Sequence, residues 1–221
     1  YGVFRDVFDA DVDSFVINDK VAYDRILNLC GNVAPQLRDK VELYRGEEPI
    51  QVHYGIHKEL ERALRPKVWL PHGGSIVIEQ TEALTTIDVN TGKFVGAKRL
   101  QDTVLRTNLD AAVEIARQLR LRDIGGIIVI DFIDMDKMTH RRRVSTALKE
   151  AFSDDRMKTR ILHITRLGLV EMTRKRTGRS LTRQMQVNCP CCDGRGKILS
   201  AETLATRIYD ELRAARPSAQ H

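Results

Sequence analysis

Ile127-Ile128-Val129-Ile130 constrains this chain most: four branched apolar residues preceded by Gly125-Gly126 and running directly into Asp131. The run reads as a strand apolar on both faces, fully buried in the sheet of an α/β fold. A carboxylate that ends such a strand sits at the edge of the sheet, where open α/β folds place their sites. A second strand, Ala83–Asn90, leads to a polar tip at Thr91-Gly92. Its period-two pattern puts Thr85, Ile87 and Val89 on one face and Thr86, Asp88 and Asn90 on the other, so Asp88 and Asn90 are side-by-side neighbours. Two strand-end carboxylates, Asp88 and Asp131, with the Asn90 carboxamide beside one of them, suit a hard cation such as Mg²⁺, which takes few protein oxygens. That chemistry is phosphoryl transfer: a bound Mg²⁺ activates water and neutralises charge on the leaving oxygen. The plainer reading is that strand-end aspartates form turns through their own backbone. Asp134 serves as a further ligand or a helix cap.

The 221 residues allow one large or two small domains. Residues 1–66 read as a small α/β piece: a strand at 12–17, a helix at 21–29 capped by Asn18-Asp19 and stopped by Gly31, a strand at 40–44, and a helix at 56–64 ended by Arg65-Pro66. His53 and His57, four apart, are placed on one helix face as surface or packing residues. Strands at 67–70 and 75–80 flank the turn Pro71-His72-Gly73-Gly74. The longest helix is expected over 103–122, with the apolar stripe Leu105, Leu109, Ala112, Ala116 and Leu119. A basic helix at 141–152, a strand at 160–165, a polar basic stretch at 177–186 and a helix at 201–215 follow, with an unstructured end from Arg216. No apolar run approaches the ~20 residues of a membrane span. The chain opens at Tyr1-Gly2-Val3-Phe4 without an initiator Met, as expected of a fragment or processed piece.

Net charge is +6, but its distribution says more. Between Lys137 and Arg183 stand fourteen Lys/Arg against four Asp/Glu, a local excess that draws a polyanion. Arg141-Arg142-Arg143 and Arg174-Lys175-Arg176 read either as solvated surface or as a phosphate-backbone track. Aromatic content of 5% offers no evident base-stacking platform. The four cysteines make no disulfide framework, which indicates a reducing, cytoplasmic setting. Cys30 reads as a buried small hydrophobe. Cys189 and Cys192 form a C-x₂-C pair with Gly194 and Gly196 behind it, half of the four ligands a structural zinc takes. Two chains sharing one Zn²⁺ complete the set; a redox C-x₂-C is the main alternative, although the thioredoxin-like helix start it belongs to is missing here, and an intrachain site that includes His163 is a further one.

Four blocks together carry a resemblance: GGSIVIEQTEALTTIDVNTG (73–92), TNLDAAVEIARQLRLRDIGGIIVIDFIDM (107–135), TRLGLVEMTRKR (165–176) and CPCCDGRG (189–196). They resemble the catalytic core of the bacterial ribonuclease E/G family. The resemblance implies a Mg²⁺-dependent endoribonuclease that cuts single-stranded, AU-rich RNA, prefers a 5′-monophosphate end, and acts in RNA processing and decay. It implies Asp88, Asn90 and Asp131 as magnesium ligands, with the two aspartates catalytic. It also implies Cys189 and Cys192 as a zinc link joining two subunits, within a tetramer in the full-length protein. The subdomains it implies are part of an RNase H-like piece (1–66), a DNase I-like mixed sheet with helices (67–184), the zinc link (185–197), and the start of a small dimerisation domain (198–221). The family's oligonucleotide-binding barrel and 5′-end sensor should precede Tyr1. A non-catalytic, zinc-bridged RNA-binding module is the alternative.

Overall fold

Proline and glycine set the boundaries of the first elements. The computed structural model describes residues 8, 12–92 and 100–215, in two units, Tyr1–Val68 and Trp69–His221. In the first, β1 (Phe15–Ile17) is followed by helix α1 (Lys20–Val33). The Asp19 carboxylate accepts from the Ala22 amide at 2.6 Å and caps that helix, as its position indicates. The helix does not stop at Gly31. It runs on to Val33 and ends at Ala34, because the residue before Pro35 is driven out of the helical region. A 3₁₀ turn (Pro35–Lys40) then leads into β2 (Val41–Leu43), which pairs parallel with β1. Phe8, Ile26, Cys30, Leu37 and Val41 form the core, so Cys30 is the buried small hydrophobe expected. α2 (Ile50–His53) and α3 (Ile56–Ala63) are separated by Gly55, left-handed at φ 66°. That break puts His53 and His57 on different helices rather than on one face.

A six-stranded mixed sheet organises the second unit, and the boundary between the units falls inside its edge strand β3 (Lys67–Trp69). β4 (Ser75–Gln80) and β5 (Leu84–Asn90) form an antiparallel pair. Helix α4 (Leu100–Leu121) crosses to β6 (Gly126–Asp131), which lies parallel to β5. α5 (Met138–Ala151), β7 (Thr159–Ile161) and β8 (Leu169–Arg174) follow, and the strand order is β3-β4-β5-β6-β8-β7. The polar stretch after Arg176 holds a short helix, α6 (Leu181–Met185), not anticipated from sequence. α7 (Ala201–Ala214) has no buried residue. The expected unstructured end from Arg216 lies outside the described residues.

The helices cover one face of the sheet. Leu105, Ala112, Ala116 and Leu119 of α4, with Val144 and Leu148 of α5, are buried. Burial alternates along β5, β6 and β8. This corrects the reading of β6 as buried on both faces. Ile128 and Ile130 are fully buried, whereas Ile127 is 53% exposed. An apolar run shows that a face can be covered, not that anything covers it.

The far end of β8 carries an ion pair rather than a phosphate contact. Arg174 is only 5% exposed. Its Nε and Nη2 donate to the Asp155 carboxylate at 2.7 and 3.2 Å, and its Nη1 donates to Asp123 Oδ1 at 3.3 Å and to the Ile124 carbonyl at 3.0 Å. Burial opposes ionisation of Asp155, but the Arg174 hydrogen bonds, the Met157 amide and the nearby positive charge outweigh it and hold the carboxyl below its usual range. A depressed carboxylate stabilises the fold above its unfolded pKa, near 4, and that contribution is lost as pH falls through the folded value. Removing one partner strands the other. Arg174→Ala should therefore cost about 3–5 kcal/mol of stability, read by denaturant unfolding at pH 7, with the deficit shrinking below about pH 4 as Asp155 protonates.

Candidate metal and nucleic-acid site

Asp88 and Asp131 are register partners on the parallel strands β5 and β6. Neighbouring strands lie about 4.8 Å apart, so the two carboxylates project side by side on the exposed face. Asn90 belongs to the same face, and its Nδ2 donates to Asp88 Oδ2 at 2.7 Å. That bond fixes the carboxamide against the carboxylate, and among the described residues its side-chain oxygen accepts no hydrogen bond. Gly74 (φ 93°) brings the β3–β4 turn against this strand end, since a Cβ there would stand 2.6 Å from the Asn90 carbonyl oxygen. Asp88, Asn90, Asp131 and Asp134 line one cleft of about 420 Å³, with Leu167 beside them. Burial, then the charges of Asp88 and Asp134, push the Asp131 carboxyl above its ordinary value. The geometry brings the sequence-derived trio together and adds Asp134 to it.

Sequence reasoning missed what holds the Asp131–Asp134 loop. Asn108 of α4 is fully buried; its Nδ2 donates to the Ile133 carbonyl at 2.8 Å and its Oδ1 accepts from the Ile133 amide at 3.1 Å. One side chain thus satisfies both backbone groups of a residue lying between two carboxylates. The signal was present: Asn108 sits three after Leu105 and four before Ala112, a polar residue in the apolar stripe. On the other side the Phe132 amide donates to the Gly168 carbonyl at 3.3 Å. Gly168 is left-handed at φ 81°, and a Cβ there would collide with the Phe132 carbonyl oxygen.

The basic residues divide by position. Arg142 and Arg143 are exposed on α5, just after the carboxylate loop. Arg141 is partly covered, and its Nε is the one buried side-chain nitrogen or oxygen without a hydrogen-bond partner among the described residues. Lys175 and Arg176 lie at the opposite end of the sheet. With Ile127, Lys158, Arg160 and Thr173 they line a groove of about 580 Å³. Arg174 leaves the set, because its guanidinium is spent on Asp155 and Asp123.

Beyond α6 the cysteines form a knuckle. The amides of Cys192 and Cys191, then the Cys192 thiol, hold the Cys189 thiol below its usual value. The Gly196 amide donates to Cys192 Sγ at 3.3 Å, a turn that Gly194 (φ 77°) and Gly196 (φ 72°) permit. Cys191 is exposed, and its amide and, last in size, its thiol also help to lower the Cys189 thiol. Among the described residues no group of three or more His, Cys, Asp or Glu side chains converges to hold a metal ion. A pair of carboxylates with a carboxamide still fits magnesium, which keeps most of its waters. Two thiolates are half of a structural zinc site.

The sequence pattern of the Ribonuclease E/G family matches residues 1–177. Ribonuclease G of Salmonella typhimurium (strain SL1344) is 47% identical over 210 residues, which are 95% of this chain and 43% of that protein. Ribonuclease G of Escherichia coli (strain K12) is 46% identical over the same shares. Ribonuclease E of Escherichia coli (strain K12) is 44% identical over 206 residues, 93% of this chain and 19% of that protein. The chain therefore spans less than half the length of each of these relatives.

Two substitutions separate charge from scaffold. Asp131→Asn removes one of three crowded negative charges, so the protein should melt about 1 °C higher in calorimetry. Asn108→Ala leaves the part-buried Ile133 amide and carbonyl without their partners. It should cost about 1–3 kcal/mol, read by denaturant unfolding.

Proposed function

The chain belongs to the ribonuclease E/G family, and from that premise we propose that it is the catalytic part of a Mg²⁺-dependent endoribonuclease acting on single-stranded RNA. One observation carries the reading: Asp88 and Asp131 are locked opposite each other in register and open with Asn90 and Asp134 onto a single cleft. Asp88, Asn90 and Asp131 are the residues that hold Mg²⁺. The bound ion supplies a Lewis acid that makes water acidic and neutralises charge on the leaving oxygen. The protein's part is to keep the carboxylates aligned. Asn90 does so by donating to Asp88, and Asn108 by fixing the loop behind Asp131.

RNA grip is assigned to Arg141, Arg142 and Arg143 near the cleft and to Lys175 and Arg176 at the far end of the exposed face. The exposure of Arg142 and Arg143 supports this, because solvated guanidinium groups can reach phosphate oxygens. Such contacts give affinity without sequence choice, so any preference for AU-rich sites or a 5′-monophosphate falls to other parts of the protein. Cys189 and Cys192 are the proposed half of a Zn²⁺ site shared between two chains, and their C-x₂-C spacing with the turn at Gly194 and Gly196 supports that pairing. A reducing cytoplasm suits thiolates used in this way. Among the described residues no helix is long and apolar enough to cross a membrane.

Cleavage of a 5′-monophosphorylated, AU-rich single-stranded RNA should require Mg²⁺, stop with EDTA, and fall to background in Asp88→Ala and Asp131→Asn. Cutting that survives either substitution would remove the carboxylates from the chemistry. Elemental analysis with sedimentation should give one zinc per two chains and a smaller dimer fraction in Cys189→Ser; one tightly held zinc per monomer would exclude the shared site.

A further inference from the structure

A second concentration of charge lies at the end of the sheet away from Asp88 and Asp131. There the β4–β5 turn, the residues before β6 and the segment 176–183 enclose a cavity of about 80 Å³. Arg176, Arg179 and Arg183 line it, with Thr81, Ser180 and a single carboxylate, Asp123. That carboxylate is already committed, since it accepts from Arg174 Nη1 and from Thr177 Oγ1. Arg179 and Arg183 make no side-chain ion pair among the described residues, so the cavity carries uncompensated positive charge.

The walls are held in place. Arg176 Nε donates to the Gly125 carbonyl at 3.1 Å, which anchors its side chain and keeps its terminal nitrogens for another acceptor. Ser180, 7% exposed, donates Oγ to Gln80 Oε1 at 3.0 Å, and the Leu181 amide donates to the Arg122 carbonyl at 2.9 Å. The segment carrying Arg179 and Arg183 is thereby tied to the sheet end. Guanidinium forks match tetrahedral oxyanions and bind them in bidentate fashion. The space is small, about 80 Å³ and partly open to solvent, a size that suits a single phosphate group.

We infer that this cavity is a phosphate-binding site, distinct from the carboxylate cleft, that takes either a phosphodiester of an RNA strand or a free phosphate group. It stands about 13–17 Å from Asp88 and Asp131, counted along β5 and β6. The RNA form of the inference rests on the ribonuclease reading; the free-phosphate form does not.

The test uses the whole chain and an Arg179→Gln/Arg183→Gln double variant, both checked for equal melting temperature. Inorganic phosphate is titrated into each by calorimetry. RNA binding is then followed by anisotropy over a salt series in the Asp131→Asn background, with a dinucleotide and with a longer oligoribonucleotide. Saturable phosphate binding, weakened at least tenfold in the double variant, is expected, because two charge-assisted contacts are removed. If RNA is the source, the salt slope for the longer oligonucleotide falls by about 0.7, one phosphate contact on a single strand, and the dinucleotide is unaffected. Phosphate binding lost with RNA slopes unchanged identifies free phosphate as the ligand. A lowered RNA slope without free-phosphate binding assigns the site to RNA alone. Phosphate binding equal in both proteins, or absent with unchanged slopes, overturns the inference. Mg²⁺-dependent cleavage by the unmodified chain in the same preparation shows whether the ribonuclease reading survives that failure.

Discussion

The parallel register of β5 on β6 is the constraint from which the chemical end of the molecule follows. It sets Asp88 opposite Asp131, a pair of like charges that no isolated strand would bring together. A parallel pair also cannot be closed by a hairpin and needs a long crossover, here through α4. That crossover carries Asn108 to the Ile133 backbone. The connection that makes the carboxylate pair possible therefore also delivers the side chain that steadies it. Crowding negative charge on a partly covered strand end disfavours the ionised state, and a divalent cation offsets that cost.

Much of this was legible in the sequence, for identifiable reasons. Period two in LTTIDVN separated Asp88 and Asn90 from Thr85, Ile87 and Val89, and the burial of those three bears it out. The stripe on α4 was equally readable. Other positions were misread because pattern and context compete. Gly31 looked like a helix stop, yet Pro35 decided the boundary. Arg174 was grouped with Lys175 and Arg176 as one charge run, although period two in LVEMTR puts it on the same side as Val170 and Met172, the buried side. Ile127 was taken as buried because an apolar strand cannot show whether both of its faces are layered.

The charge of the second unit is sorted along the strands. Carboxylates gather where β5 and β6 end, and guanidinium groups where those strands begin, with Arg141–Arg143 returning positive charge to the acidic end through α5. A polyanion approaching this surface meets attraction at both ends and repulsion between the α5 arginines and β5, until a cation occupies the carboxylates. Such a field favours binding in which the metal is already seated when the strand arrives.

Gly168 carries the last lesson, since what matters there is an atom that is missing. The loop that ends in Asp134 passes so close to it that even a methyl group would have to displace the Phe132 carbonyl. The buried Phe132 ring and the Asn108 clamp resist that movement, so the strain would pass to the short stretch between them and Asp131. The molecule thus has a point of fragility at a residue that bears no charge and no side chain. A lesion there alters the alignment of two oxygens while most of the sheet and its ion pairs stay in place, and inactivity need not appear as unfolding.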